Sequence, residues 1–229
     1  MDKTSVVYFG TSNMAGQMVA SAKSLLKHTH VERVWFLSDV DEFPVYLPDV
    51  IKVRNVKDQG WFPPEGPNYN SRWTYMCLLP LAFPEIFPDE SRVLRMDSDT
   101  IIEKDITPLL EMNLKGNYVA MVEEPVRSNH PFHYYNAGVT LMDLDKFRKT
   151  GRHKKMIDYA NSVELSAVDQ DAFNVYCQGD ILPLGAEWNW CPGIIQDHPD
   201  PCIRHYAGYT KPFGQYLFRT YFDAEWEVR

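Results

Sequence analysis

Short apolar runs alternate with amphipathic segments along the chain, and this alternation predicts its secondary structure. The runs at residues 5–10, 33–38 and 51–56 have the length of buried strands, and the first ends in glycine. Between the first two, residues 14–29 place their apolar side chains on one stripe, which is typical of a helix packed on a core. Strand, helix and strand at this spacing predict a parallel sheet with crossover helices.

The remaining chain follows the same pattern. Helices are predicted at 72–83, broken near Pro80, at 146–162 in two pieces around Gly151, and from Asp169, a candidate N-cap. Further strands are predicted at 92–96, 118–123, 137–144, 181–184 and 202–208. Residues 57–71 are rich in Gly, Pro and Asn and predict a long surface loop, a kind of segment that often has a functional role.

Composition narrows the class of protein. The 229 residues are 45% hydrophobic and 24% charged, as expected for a single globular α/β domain with a substantial core. The net charge of −8 argues against a chain whose main task is to bind nucleic acid or anionic lipid, but it allows a local basic site for phosphate. The sequence contains no signal-like run and no apolar stretch approaching ~20 residues, so we expect a cytoplasmic protein without a membrane span. Its four cysteines lack any C-x-x-C pair and are expected to be reduced thiols.

Closely spaced aspartates are the first candidates for a functional site. Two carboxylates one residue apart lie on the same face of an extended segment and suit a hard divalent cation. Asp-x-Asp triplets occur four times, at 39–41, 97–99, 143–145 and 169–171. The pair at 143 and 145 stands where a strand gives way to a helix and is predicted to cap it, while the pair at 39 and 41 is predicted to lie in a solvated turn.

Asp97 and Asp99 are distinguished by their surroundings. They follow a predicted buried strand, and ligands of open α/β sheets bind beyond the carboxyl ends of strands. A distant segment, H-x-x-G-x-x-K-P, adds His205 as a possible third metal ligand, Gly208 for close approach of an anion and Lys211 as a point charge for phosphate. Mixed oxygen and nitrogen ligands favour Mn²⁺ somewhat over Mg²⁺.

Five segments together resemble the retaining glycosyltransferases of family 8, nucleotide-sugar enzymes with a GT-A fold. They occur in the family's order and, with the residues between them, cover most of the chain from about residue 72 to residue 213. The segments are VLRMDSDTII at 93–102, YYNAGVTLMDLDKFR at 134–148, VDQDAFN at 168–174, LPLGAEWNW at 182–190 and IRHYAGYTKPF at 203–213. The resemblance implies one Rossmann-like domain over residues 1–229, with a mostly parallel sheet flanked by helices. Residues 1–100 would form its nucleotide-binding half, and 101–229 its sugar and acceptor half.

The resemblance also implies roles for individual residues. Asp97, Asp99 and His205 match metal ligands, Ser98 lies between the two aspartates, and Gly208 and Lys211 match residues that hold the donor diphosphate. On the sugar side, Asn136 matches an asparagine near the donor sugar, the pair Asp169 and Gln170 lies beside the anomeric carbon, and Asn189 resembles an acceptor-side residue. The expected activity is transfer of a hexose, glucose or galactose, from a UDP-sugar with Mn²⁺ or Mg²⁺.

Two segments depart from the family pattern. The family commonly begins with an acidic-Asn-Tyr stretch that recognises uracil; residues 10–16 instead read GTSNMAG, where Thr11 and Asn13 remain to bond a base edge and Met14 can pack on it. The family's arginine in the helix before the D-x-D strand is replaced by Cys77, and Arg72 is the expected substitute. These departures leave uridine specificity and donor-sugar handling open.

Two other functions and several acceptors stay open at this point. A nucleotidyltransferase would want a basic, glycine-rich loop after the first strand, and residues 10–16 contain no Lys or Arg. A degenerate glycosyltransferase that serves only as a binding module is the other alternative. The acceptor could be a glycan, a protein side chain, a small metabolite or a modified base. We expect Trp61, Phe62 and Tyr69 in the 57–71 loop to form a wall of its pocket, the alternative being a mobile loop held by those rings.

Overall fold

The computed structural model describes residues 4–71, 73–125, 133–192, 194–195, 200–207 and 216–228. The strands are β1 (Ser5–Phe9), β2 (Val34–Ser38), β3 (Ile51–Asn55), β4 (Arg92–Met96), β5 (Thr100–Ile102), β6 (Val119–Glu123), β7 (Tyr135–Asp143), β8 (Ile181–Leu184) and β9 (Ile203–His205). The helices are α1 (Ala15–His28), α2 (Phe83–Ile86), α3 (Thr107–Leu110), α4 (Leu144–Thr150), α5 (Arg152–Ser162), α6 (Val168–Tyr176) and α7 (Tyr216–Asp223).

Seven strands form one sheet in the order β3-β2-β1-β4-β7-β6-β8. The first four of these are parallel, β7 is antiparallel to both β4 and β6, and β8 is parallel to β6. This confirms the expected α/β fold with a mostly parallel sheet. The strands β5 and β9 form a separate antiparallel pair. This pairing places β9 beside the segment that follows β4.

Both faces of the sheet are buried, which explains why β1 has no exposed position. Val6 and Tyr8 face a cluster that includes the apolar stripe of α1, whereas Val7 and Phe9 face the cluster on the opposite side, to which α5 and α6 contribute. A strand covered on both faces reads as a continuous apolar run rather than an alternating one. The apolar runs therefore predict strands with helices packed on both faces of the sheet, which is the arrangement found here.

Local turn chemistry sets the boundaries of α4 and α5 as predicted. The Asp143 side chain accepts a hydrogen bond from the Lys146 N–H at 2.8 Å, which confirms the capping role. Gly151 ends α4 with a φ of 67°, a left-handed conformation that glycine adopts without steric cost, and α5 begins immediately after it.

Two helical predictions need correction. The segment around Pro80 is a 3-10 helix, Tyr75–Ala82, followed by the single turn of α2. Pro80 disfavours a regular α-helix there, and the packing of the segment on the core accompanies the tighter helix. The N-cap of α6 is Ala167 rather than Asp169. The Asp171 carboxylate accepts the Ala167 N–H at 2.8 Å, so the side chain of Asp169 is not needed there.

The predicted loop at 57–71 contains no helix and only an isolated bridge at Asn70, and it is anchored to α5. The Asn68 amide donates to the carbonyls of Ala160 and Val163 and accepts from the Leu165 N–H at distances of 2.6–2.8 Å. These bonds satisfy backbone groups at and beyond the end of α5, so the loop is part of the packed structure.

None of the helices within the described ranges combines the length and the hydropathy that a membrane crossing requires.

Candidate active site and metal-binding group

A cavity of about 500 Å³ opens beyond the carboxyl ends of β1 and β4. This edge of a parallel sheet is the usual ligand position in open α/β folds. Its lining comes from the segment after β1, the 3-10 helix, the turn after β4, the start of β7, the start of α6 and the end of β9. Distant parts of the sequence therefore share one chamber.

The structure brings the three expected metal ligands together in this cavity. His205 Nε2 lies 3.3 Å from Asp99 Oδ1 and 3.4 Å from Asp97 Oδ2, and one ligand atom from each residue falls within 4.8 Å of the others. Pairing of β5 with β9 sets this approach, because Thr100 is directly opposite His205. The two aspartates converge through a turn at residues 98–99, not along an extended strand as their spacing had suggested.

The imidazole of His205 is fixed in one orientation by its neighbours. Its Nδ1 donates to Asn189 Oδ1 at 2.8 Å, which leaves Nε2 facing the aspartates. The ring packs directly on the backbone of Gly138, where an added Cβ would collide with it. Burial alone lowers the pKa of His205, but Asp99 and Asp97 outweigh that effect and raise the pKa to about 9 in the metal-free protein.

The expected sugar-side residues are joined by hydrogen bonds. Gln170 Nε2 donates to Glu124 at 3.0 Å, and Gln170 Oε1 accepts the Ala137 N–H at 2.9 Å. Asn136 donates to the same Glu124 oxygen at 3.3 Å and accepts from Asn189 at 2.8 Å. Glu124 follows β6 just after a register shift between Ala120 and Val122, an irregularity of the kind that redirects side chains near functional sites.

Asp169 pairs with an arginine that the sequence analysis did not select. Arg95 Nη2 lies 2.9 Å from Asp169 Oδ2 and 3.0 Å from Asp97 Oδ1. Complete burial raises the pKa of Asp169 to about 7 despite this guanidinium. For Arg95 burial acts in the opposite direction and lowers the pKa. The carboxylates of Asp97 and Asp169 more than offset this effect, so Arg95 stays charged. Cys77 lines the same cavity, and Arg72, its expected substitute, lies outside the described residues.

The segment after β1 also lines the cavity. Thr11 and Asn13 line it together with Met14, and the Thr11 hydroxyl donates to the Asn13 side chain. The Ser12 N–H donates to Asp39 Oδ1 at 2.6 Å, which ties the end of β2 to this segment. The predicted solvated turn is found at Asp41, which is exposed, but Asp39 is half-buried and its carboxylate binds the 3-10 helix Ser12–Met14.

Other expected positions have mixed outcomes. Ser98 lines the cavity and is buried, whereas Gly208 and Lys211 lie outside the described residues. Asn189 is fully buried, its amide bonds to His205 and Asn136, and it is not among the residues that line the cavity.

The aromatic wall predicted in the 57–71 loop is wrong. Phe62 belongs to the core, Trp61 lines a second hollow where its indole donates to Glu85, and Tyr69 stacks on Tyr75 at 4.9 Å between ring centroids. Trp73, just beyond the loop, lines the main cavity instead.

Charge is unevenly distributed in the cavity. Among the described lining residues, the acidic side chains are Asp97, Asp99, Glu124 and Asp169, while Arg95 and His205 are the basic ones. Such a site repels a diphosphate unless a cation is added. Arg95 and Glu124 were missed because each looks locally like an ordinary strand or strand-end residue. The available signal for Arg95 was a charged residue between Leu94 and Met96, in the buried part of β4.

Comparison with known proteins agrees with this geometry. The family model described as glycosyl transferase family 8 matches residues 5–215. The glycosyltransferase GlyE of Streptococcus pneumoniae is 25% identical over an alignment that covers 98% of this chain and 60% of GlyE, and GlyF of the same organism is 28% identical over 60% of this chain and 39% of GlyF. The chain thus spans about two fifths to three fifths of the length of these relatives.

Solved structures share the fold. The crystal structure of GlyE superposes with a TM-score of 0.75 at 22% identity, covering 99% of this chain and 62% of that one. The galactosyltransferase LgtC, in complex with donor and acceptor sugar analogues, superposes with a TM-score of 0.73 at 19% identity over 96% and 95% of the two chains. With a family match over nearly its whole length and the metal-binding group in place, the chain belongs to glycosyl transferase family 8.

Proposed function

We propose that the protein is a metal-dependent, retaining glycosyltransferase that moves a hexose, glucose or galactose, from a UDP-sugar to an acceptor. The observation that carries this proposal is the cluster of Asp97, Asp99 and His205 in the wall of a cavity of about 500 Å³ that Asp169 and Gln170 also line. Residues 1–100 would bind the nucleotide and residues 101–229 the sugar and acceptor. Cytoplasmic location remains part of the proposal.

The ligand set fits a divalent cation. Two ligands of one cation at about 2.0–2.2 Å lie roughly 3.0–3.5 Å from each other, and the separations of 3.3 and 3.4 Å around His205 Nε2 fall in that interval. Asn189 keeps Nε2 available, and two carboxylates with one imidazole suit Mn²⁺ or Mg²⁺. A bound cation would neutralise charge that builds up on the diphosphate as the sugar leaves.

The chain's own residues would bind and orient the donor. Thr11 and Asn13 offer hydrogen-bonding groups for the base, and Met14 offers an apolar surface. Asn136 and Gln170 are held by their shared bonds to Glu124, so their positions beside the sugar are fixed before the donor arrives. Groups held in advance in this way do not need to reorganise during the reaction.

Retention of the anomeric configuration would follow from attack on the same face of the sugar. Gln170 has a neutral amide whose oxygen already accepts the Ala137 N–H, which makes it a poor nucleophile. In this proposal the bond between the anomeric carbon and the diphosphate breaks, the acceptor oxygen forms the new glycosidic bond, and an oxygen of the departing UDP takes the proton of the acceptor hydroxyl. Mass spectrometry of the protein during turnover would detect a sugar bound to Asp169, Gln170 or Glu124, and finding one would overturn same-face attack.

The first experiment is a donor screen with each of several UDP-sugars, in Mn²⁺ and in chelator. Metal-stimulated release of UDP, lost in Asp99→Ala, is the expected result. In a parallel assay with a nucleoside triphosphate and a sugar 1-phosphate, release of pyrophosphate would identify a nucleotidyltransferase. Donor binding without turnover would identify a binding module. Absence of binding and of turnover with every donor and metal would refute the proposal.

A further inference from the structure

The guanidinium of Arg95 stands between the metal-binding group and the sugar-side residues. Its Nη2 is 3.0 Å from Asp97 Oδ1 and 2.9 Å from Asp169 Oδ2, its Nη1 donates to the Ala137 carbonyl, and its carbon atom lies 4.8 Å from the centre of the Phe9 ring. The side chain is only 3% exposed. Contacts on several sides therefore hold the guanidinium in one place.

The location of this arginine in the fold is costly. Arg95 lies in β4, an interior strand of the sheet, opposite Val7 of β1 and Thr140 of β7. An apolar residue is the ordinary occupant of such a position, and a buried charge is destabilising unless it is fully paired. Arg95 directly contacts two carboxylates of the cavity. Its presence in β4 is therefore better explained by a role in the cavity than by a contribution to the stability of the sheet.

The two oxygens of Asp97 have different neighbours, and Arg95 makes the difference. Oδ1 is engaged by the guanidinium, whereas Oδ2 faces His205 Nε2 at 3.4 Å. We propose that Arg95 is a positioning residue that fixes the Asp97 carboxylate so that Oδ2 is presented to the cation, while the same nitrogen holds Asp169 on the sugar side. This inference rests on the metal site of the proposed function and adds a residue that joins its two halves.

A charge-balancing role and an orienting role of Arg95 predict opposite changes in metal affinity when Arg95 is replaced, so the two roles can be distinguished by experiment. If Arg95 only balanced charge, replacing it with an uncharged residue would remove a nearby positive charge and tighten cation binding. If it orients Asp97, the same replacement weakens cation binding, because outer residues that orient metal ligands contribute about 10- to 100-fold in affinity. Lysine keeps the charge but lacks the planar fork needed to hold two carboxylates and a carbonyl.

The experiment is titration calorimetry with Mn²⁺ alone, without donor, on the full chain carrying Arg95→Met or Arg95→Lys. The matched control is Arg152→Met. Arg152 also pairs with an aspartate, Asp180, at 2.7 Å, but it does not line the cavity. Melting temperatures of all variants establish that they are folded. If Arg95→Met does not fold, Arg95→Met combined with Asp169→Asn removes the unpaired buried carboxylate and still leaves Asp97 without its partner.

We expect both Arg95 variants to bind Mn²⁺ at least about 10-fold more weakly than the wild type, and the Arg152 control to remain within about twofold. Weakening by more than threefold in both variants supports the proposal. Tighter binding in Arg95→Met, or a change of less than threefold in either variant, overturns it. Because donor is absent, this result is independent of whether the wild type releases UDP. A wild type that binds no Mn²⁺ in the absence of donor would overturn this proposal, whereas the donor screen tests the proposed function separately.

Discussion

If His205 is a metal ligand as proposed, metal binding at neutral pH has to displace a proton from it, and the affinity for Mn²⁺ should depend steeply on pH. The pKa of this buried imidazole is about 9 in the metal-free protein, against an ordinary value of 6.5, because Asp99 and Asp97 outweigh the effect of burial. A raised pKa means that the folded, metal-free protein holds the proton more tightly than the unfolded chain does. The stability from this proton is complete below about pH 6.5 and is lost as the pH rises through about 9.

The size of the effect follows from the displaced proton. Each pH unit below the pKa costs about 1.4 kcal/mol, or tenfold in affinity, when a ligand must be deprotonated to bind. Between pH 6.5 and 8.0 the association constant for Mn²⁺ should therefore rise about 30-fold. A histidine with the ordinary pKa would give a rise of only about twofold over the same interval. Ionisation of Asp169, whose pKa is about 7, would change the affinity in the same direction, so Asp169→Asn is needed to isolate the contribution of His205.

Titration calorimetry over this pH range, in pairs of buffers with different ionisation enthalpies, measures both the affinity and the protons released. About one proton per Mn²⁺ is expected at pH 7 in the Asp169→Asn background. His205→Gln, which offers a neutral amide oxygen that does not titrate, should flatten the pH dependence to within about threefold. A wild-type rise of only about twofold, or proton release near zero, would refute the assignment of His205 as a protonated ligand in the metal-free state.

Three further changes test other contacts. Asn189→Ala removes the acceptor for His205 Nδ1 and should weaken Mn²⁺ binding about 10- to 100-fold with the fold intact; unchanged affinity would show that the ring needs no such partner. Gly138→Ala should displace the His205 ring and lower metal-stimulated UDP release, and a crystal structure with the ring unmoved would contradict this reasoning. Asp143→Ala removes the cap of α4 and should lower the free energy of unfolding by about 1 kcal/mol with UDP release unchanged, as measured by urea denaturation; an equal loss in Asp143→Asn would show that charge, not the hydrogen bond, matters.

Most elements of the fold could be predicted because their signals are local. Strand β1 is a five-residue apolar run, and α4 and α5 are separated by a glycine that adopts a positive φ. Pro80 marked its segment as irregular, but the choice of a 3-10 helix over an interrupted α-helix required the packing of that segment against the core. Hydrophobic periodicity predicts which face is buried, and it does not determine the backbone hydrogen-bond pattern beneath it.

In the candidate site, too, some features could be predicted from the sequence and others depended on packing. Residue type and spacing were enough to predict most strands, the helices α1, α4, α5 and α6, and the aspartates at the end of β4. The link from those aspartates to His205 came from the H-x-x-G-x-x-K-P segment and from the family resemblance. The three-dimensional structure was needed to show that Arg95 contacts Asp97 and Asp169, that Asn189 bonds to His205, and that the rings of the 57–71 loop do not line the cavity. These contacts join residues far apart in the chain, and they depend on strand register and loop anchoring, which no local pattern specifies.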